Sequence, residues 1–346
     1  MRTDLKKAAS VTTRSLVLGK PHHAQWLVTR RCNYRCRGCN VWKEQDQGEL
    51  GTEDIKKGME ILRKLGIVEL VISGGDPLLR DDIGEIIDYA SKRFITTVYD
   101  NGSMAAKKID ELRGVDFVAI SIDSLDETKN DYIKAMPGAW KKATETVEIL
   151  HDNGINVSVT PTISQKNLYE IPEITDHFTQ KGIPVWYCLY SYDLLIDENQ
   201  LFKLGKENDE FVIRDKQGMI KLLDSLIEMK KKNSKILMTK RLLKTLKSFY
   251  EEDKRNWKCQ ALTNFLVVDP LGRIAGCHSH NFAGSIFDLP KMWKSQEFRD
   301  LRRKYQECTQ CNYLCYIFYS VQGGTGGHIS VAFDQWKNAS LVFKKE

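Results

Sequence analysis

The chain reads as an α/β protein: a partial (β/α)6 TIM-like barrel followed by a small C-terminal cysteine-rich module. Three observations predict this. From Gln25 onward, short β-rich runs alternate with longer segments of helical apolar spacing, the mark of βα units around a parallel sheet. Parallel strands need right-handed crossovers, so about six consecutive units curl into most of a barrel and leave one side open. The cysteines are also grouped, with Cys32, Cys36 and Cys39 near the front, Cys259, Cys277, Cys308, Cys311 and Cys315 in the last third, and Cys188 alone between them. Finally, 346 residues allow roughly two domains at about 150 residues each.

Residues 1–24 form a basic extension in which Arg2, Lys6, Lys7, Arg14 and Lys20 are interleaved with Leu5, Val11, Leu16, Val17 and Leu18. A helix of that kind suits the barrel's open edge or, over residues 1–20, peripheral contact with an anionic membrane surface. The barrel is expected over 25–192, with strands at 25–29, 68–72, 95–99, 117–122, 156–160 and 185–189. Between them the apolar spacing turns helical, as in Ile55, Met59 and Leu62, then Ile83, Ile86 and Ile87, then Val147 and Leu150. Residues 193–252 make a helical connector with helices at 217–232 and 239–251. Residues 253–346 make the cysteine-rich module. It has a hairpin of 265–268 and 273–276 that turns at Asp269-Pro270-Leu271-Gly272, a helix at 290–305, a glycine-rich stretch at 322–327 and a terminal strand at 329–333.

Composition narrows the class. Hydrophobic residues make up 42% and charged residues 28% of the chain, ordinary globular usage that argues against a disordered or fibrous protein. No run approaches the roughly 18 apolar residues of a membrane span, and no cleavable signal pattern opens the sequence, so a cytoplasmic location is expected. The net charge of 52 − 46 = +6 is dispersed, and no nucleic-acid partner is indicated. Grouped cysteines in a chain of this size point to metal or redox chemistry rather than to a disulfide framework.

The run Cys32-Asn33-Tyr34-Arg35-Cys36-Arg37-Gly38-Cys39 follows the first strand, on the face where parallel barrels carry their chemistry. Three thiolates in this CxxxCxxC spacing can hold a four-iron cubane with one iron left uncapped. The other reading is a zinc knuckle completed by His22 or His23. In context the motif resembles that of the radical S-adenosylmethionine (SAM) enzymes. The resemblance implies a SAM-binding 4Fe-4S cluster held by Cys32, Cys36 and Cys39, with SAM on the fourth iron. Gly38 stands where the family commonly has an aromatic residue, so adenine packing is expected from Tyr34 or Trp42.

The strand ends that follow fit the same family. Ser73-Gly74-Gly75-Asp76-Pro77 reads by itself as an ordinary βα turn, but it resembles the GGEP motif, with Asp76 in place of Glu. Asp100-Asn101-Gly102 resembles the TNG turn, and Ser121-Ile122-Asp123 resembles the ribose-contacting SxD segment. The implied cofactor-binding set is therefore Tyr34, Gly38, Gly74, Gly75, Asp76, Pro77, Asn101, Ser121 and Asp123, with Thr160 at the end of the fifth strand and Asn167 in the loop that follows.

A hairpin with a CxxC pair is also a zinc-ribbon layout. Together with the order of the five C-terminal cysteines, it resembles the SPASM and twitch modules of radical SAM enzymes. That implies an auxiliary 4Fe-4S cluster with Cys259, Cys277 and Cys311 as ligands and the fourth from Cys308 or Cys315. His278 and His280 read as solvated loop residues or substrate contacts. Cys188, inside the last strand, is either a small buried hydrophobe or a hydrogen-atom donor.

The implied function is a radical SAM oxidoreductase or transferase that abstracts a substrate hydrogen, with peptide or protein modification ranked ahead of small-molecule, haem-pathway or lipid-linked oxidation. A reductant such as flavodoxin or ferredoxin is the expected partner. The rival from another class is a non-catalytic iron–sulfur or zinc protein, which would need neither the GGDP turn nor Ser121 and Asp123.

Overall fold

The computed structural model describes residues 21–194, 205–309, 311 and 313–321. The basic extension over 1–20, part of the connector, the glycine-rich stretch and the terminal strand at 329–333 lie outside the described residues. In chain order the strands and main helices are β1 (His23–Thr29), α1 (Thr52–Leu65), β2 (Glu69–Gly74), α2 (Ile83–Ser91), β3 (Ile95–Asp100), β4 (Phe117–Ile120), α3 (Glu127–Lys134), α4 (Ala139–Asp152), β5 (Val157–Val159), β6 (Thr162–Ile163), α5 (Ile171–Gln180), β7 (Cys188–Leu189), α6 (Lys216–Lys232), α7 (Lys240–Glu252), β8 (Phe265–Val268), β9 (Arg273–Ala275), β10 (Gly284–Ser285), α8 (Gln296–Glu307) and α9 (Leu314–Val321).

The sheet runs β10-β9-β8-β1-β2-β3-β4-β5, with β1 to β5 all parallel. Alternation sorts the side chains. Trp26, Ile72, Val98 and Val118 are fully buried in the apolar core, while Gln25 on the other face of β1 donates from Nε2 to Ser73 Oγ at 3.0 Å. Helix starts are set by short polar side chains. Asp126 accepts from Lys129 N–H at 2.7 Å, Asp215 from Gly218 N–H at 2.8 Å, and Ser295 from Phe298 N–H at 3.1 Å.

The partial parallel barrel is present, with two departures from the expected strands. The fifth strand is split into β5 and β6 because Pro161 has no N–H to give the ladder. Its partner follows the break: Val185 bridges to Val159, and β7 resumes parallel pairing with β6 at Thr162↔Cys188. The C-terminal hairpin, in turn, is not a separate lobe. β8 pairs in parallel with β1 from His23↔Phe265 to Trp26↔Val268 and so extends the barrel sheet beyond its first strand.

Two contacts tie the C-terminal part to the barrel. Arg30, at the end of β1, is buried and ion-paired through Nη2 to Asp269 Oδ2 at 3.0 Å. Asp269 also accepts from the Leu271 and Arg273 N–H groups of the hairpin turn, at 3.0 and 2.8 Å. The second contact is α9, which spans from β7 to β1. Phe318 meets Trp186 edge-on at 5.0 Å, and Tyr319 stacks on His23 at 3.7 Å while donating to Glu69 Oε2 at 3.1 Å.

Removing one member of a buried pair leaves an uncompensated charge, which costs about 3–5 kcal/mol. Asp269→Ala is therefore expected to lower the urea unfolding free energy by about that amount. A loss below about 1 kcal/mol, the range of an exposed pair, would mean that this contact does not hold the hairpin on the barrel.

Candidate functional site

The loop carrying the first three cysteines leaves β1 beside a register shift between Leu27 and Thr29, the kind of irregularity that re-aims side chains at strand ends. Its start is fixed from below by the turn after β2. Gly75 N–H donates to Thr29 O at 2.9 Å and Asp76 N–H to Arg31 O at 2.8 Å. A Cβ at Gly74 would lie 2.1 Å from Thr29 O, and one at Gly75 2.3 Å from Arg31 O. Glycine is required at both positions so that two backbones can touch.

Cys32, Cys36 and Cys39 are all partly buried on this loop. Burial pushes their thiols up, Cys32 to about 11 and Cys36 to about 12, with Cys39 raised for the same reason. A metal taken up here has to displace those protons. Asn101, from the turn after β3, points its amide at Cys32 Sγ at 3.9 Å and donates to Asn33 Oδ1 at 2.8 Å.

Behind the cysteines lie two buried charge groupings. Lys134, at the end of α3, bonds Asp123 Oδ2 at 2.7 Å and Ser121 Oγ at 2.6 Å. Its ammonium is close enough to Cys36 and Cys39 for their charges to help raise its pKa, although burial alone would lower it. The second grouping is Asp76 and Asp100, buried side by side. Burial first, and then the charge of Asp100, lift the Asp76 carboxyl to about 8. Each is anchored by backbone donors, Asp76 Oδ1 by Leu78 N–H at 3.0 Å and Asp100 Oδ1 by Gly102 N–H at 2.7 Å. The Tyr34 hydroxyl and Thr160 Oγ1 are buried without a hydrogen-bond partner among the described residues.

Other expected site residues fall elsewhere. Asn167 closes its own loop, donating to Asp123 O at 2.8 Å and Thr162 O at 3.0 Å and accepting from Ser164 N–H at 2.8 Å, so its side chain is occupied as a turn brace. Pro77 is buried at the start of the one-turn helix that follows Asp76. The aromatic side chains beside Gly38 are Tyr190 and Phe211. A Cβ at Gly38 would lie 2.6 Å from the Tyr190 ring and 3.3 Å from Phe211. Trp42 instead lies beneath the Arg35 guanidinium, 4.9 Å away. His23 is engaged with Glu69 and Tyr319 at the opening end of β1, the far end of that strand from the cysteine loop, so it does not complete a zinc knuckle.

The C-terminal cysteines divide. Cys259, Cys277, Cys308 and Cys311 line one pocket with Arg255 and Trp257. Burial raises the Cys277 thiol, and the charges of Cys311, Cys259 and Cys308 add to it. Cys315 is not part of that lining. It is hydrogen-bonded to Cys188 inside the barrel. His278 and His280, read from sequence as solvated loop residues or substrate contacts, are buried and line the same pocket, their rings against Tyr313 at 4.9 Å and Tyr305 at 5.0 Å. Among the described residues no three His, Cys, Asp or Glu side chains close up as a single-ion cage.

Residues 26–178 match the model of the Radical SAM superfamily. Over those residues the chain carries a radical SAM domain. Among curated relatives it is 27% identical over 308 residues to the antilisterial bacteriocin subtilosin biosynthesis protein AlbA of Bacillus subtilis, covering 80% of this chain and 62% of that one. It is 25% identical over 321 residues to an AdoMet-dependent heme synthase of Methanosarcina barkeri, covering 85% and 89%. The fold matches Streptococcus suis SuiB crystallised with the precursor peptide SuiA, with a TM-score of 0.65 at 15% identity over 92% of this chain and 75% of that one. The chain spans about half the length of several other curated relatives it matches. The radical SAM family uses a 4Fe-4S cluster and SAM, and the C-terminal cysteine-rich region fits its SPASM-type members.

The raised carboxyl of Asp76 has a definite sign for stability. Its contribution is fully present below the unfolded carboxylate pKa of about 4 and is lost as pH rises towards the folded value. The metal-free chain is expected to melt at progressively lower temperature from pH 5 to pH 8, and Asp76→Asn should remove most of that fall. Equal slopes in the two proteins would show that the carboxyl pair is not the source.

Proposed function

We propose that this chain is a radical SAM enzyme. In this reading Cys32, Cys36 and Cys39 hold the SAM-binding cluster, and Cys259, Cys277, Cys308 and Cys311 hold an auxiliary 4Fe-4S cluster. The observation that carries it is one mouth in which three thiols of a single loop meet a buried cation, a buried carboxyl pair and two unpartnered buried hydroxyls. Such a donor set fits an iron–sulfur cluster with an organic zwitterion beside it.

When bound, the cluster and SAM supply a 5′-deoxyadenosyl radical that takes a hydrogen atom from the substrate. The chain's own groups orient SAM. Lys134 offers a desolvated ammonium to its carboxylate while remaining neutralised by Asp123. At the turn after β2, the N–H groups of Gly75 and Asp76 are already bonded to Thr29 and Arg31, so an approaching amino group finds acceptors, among them the Asp76 carboxyl. Thr160 Oγ1 is a free partner for a ribose hydroxyl. Tyr190 and Phe211 supply, across from Gly38, the aromatic surface for adenine. The Asn101 amide, aimed at Cys32 Sγ, stabilises negative charge on that sulfur.

For the substrate, peptide or protein modification is favoured by AlbA, a bacteriocin biosynthesis protein, and by SuiB, crystallised with a precursor peptide. The heme synthase, matched over 89% of its length, favours a tetrapyrrole or related small molecule as the second reading. A reductant such as flavodoxin or ferredoxin suits the groove of Lys240, Arg241 and Lys244, where Asn256 also lies. The neighbouring Arg255 and Trp257 face the four-cysteine cavity.

Anaerobic reduction with dithionite in the presence of SAM is expected to release 5′-deoxyadenosine. Cys36→Ala should abolish that release while leaving roughly half the iron, that of the C-terminal site; continued release would overturn the assignment. Lys134→Met should weaken SAM binding about tenfold, or about 1.4 kcal/mol, in protein with its full iron content. An unchanged Kd would remove Lys134 from the SAM site. Stimulation of nucleoside release by peptides rather than by an iron porphyrin supports the first substrate reading, and the reverse supports the second.

A further inference from the structure

Cys188 and Cys315 are far apart in sequence and in contact inside the barrel. The Tyr99 side chain, from β3, interacts with Cys188, and Cys188 with Cys315. The two thiols are half-buried and sit where α9 packs on β7, beside the Trp186–Phe318 ring contact at 5.0 Å. Neither thiol lines the cavity of the other four C-terminal cysteines. Asp123, which holds Lys134 at the mouth, also lies near Cys188. The pair therefore stands between the two cysteine sites and belongs to neither.

We propose that Cys188 and Cys315 are a redox-active dithiol that closes to a disulfide and staples α9 to the last barrel strand. The two thiols interact where α9 and β7 are in contact, the proximity a disulfide needs. Because Cys315 accepts the hydrogen bond, its thiol is held below the ordinary range while that of Cys188 is raised, and this makes Cys315 the attacking sulfur.

The oxidant is a small disulfide of the glutathione class. The Cys315 thiolate attacks one of its sulfurs and expels one thiol. Cys188 loses its proton and attacks the mixed disulfide at Cys315, forming the Cys188–Cys315 bond and expelling the second thiol. Two electrons and two protons thus leave the chain as two thiol molecules. Only the dithiol form leaves an S–H in the lumen for the hydrogen-donor role that the sequence suggests for Cys188. The disulfide form fixes α9, whose start lies just beyond Cys311, against β7.

The test uses the full chain, as purified and after iron–sulfur reconstitution, equilibrated anaerobically in glutathione redox buffers. Thiols are trapped with N-ethylmaleimide and the peptides mapped by mass. Expected is a linked 188–315 peptide lighter by two hydrogens, with both positions escaping the label together in a single transition. Cys315→Ser should leave Cys188 labelled in every buffer, Cys188→Ser should trap Cys315 as a mixed disulfide with glutathione in oxidising buffer, and both variants should keep the wild-type iron content. Independent labelling of both thiols in wild-type protein under oxidising buffer would overturn the proposal. So would loss of iron in Cys315→Ser to the extent seen in Cys308→Ser, which would make Cys315 a cluster ligand. The wild-type peptide map decides the matter even if the chain binds no iron, so this result is separate from that of the function proposed above.

Discussion

The geometry of the mouth depends on one backbone contact, the turn after β2 lying directly on the beginning of the loop after β1. Two hydrogen bonds, from Gly75 to Thr29 and from Asp76 to Arg31, hold it. No side chain fits at 74 or 75, since a Cβ there would meet Thr29 O or Arg31 O well inside contact distance. From this contact follow the exit direction of the cysteine loop, the burial of Asp76 against Asp100, and the approach of Asn101 to Cys32. A glycine pair that resembles a ligand-contact motif is thus first of all a packing requirement, and its contribution to ligand binding comes through what it positions.

The mouth is also where the fold places charge at a cost. Lys134 is buried with its charge held by Asp123 and the nearby cysteines, whereas Asp76 and Asp100 are buried together and their desolvation and mutual repulsion are only partly offset by backbone donors. Asp269, by comparison, accepts from Arg30, Arg273 and two backbone N–H groups. The contrast separates a structural ion pair that joins the hairpin to the barrel from a pair of groups held ready for a charged ligand.

Much of this was legible from sequence because it is local. The strand runs, the helical spacing, the CxxxCxxC loop and the hairpin turn all depend on neighbours within a few residues. What stayed hidden depends on contacts between distant segments. Gly38 says nothing by itself about Tyr190, which fills the space beside it. Lys134 reads as one more surface lysine on a short helix until Asp123 and Ser121 are found around it. Cys308 and Cys315 are equivalent by spacing, and only α9, crossing to β7, separates them. Asn167 failed in the other direction. A polar residue at a strand end is more often a turn brace than a ligand, and its three hydrogen bonds show it serving as one. The end of the fifth strand before Pro161 is legible in the sequence, but the resumed pairing of Thr162 and Ile163 depends on the distant strand β7.

The central claim is that two separate iron–sulfur sites flank one lumen. Its most direct test is anaerobic quantification of iron and acid-labile sulfide per chain in wild-type protein and in Cys308→Ala. About eight of each in the wild type, falling to about four in the variant, is the predicted result. Zinc in place of iron, or iron without labile sulfide, would contradict it and return both cysteine groups to structural metal binding.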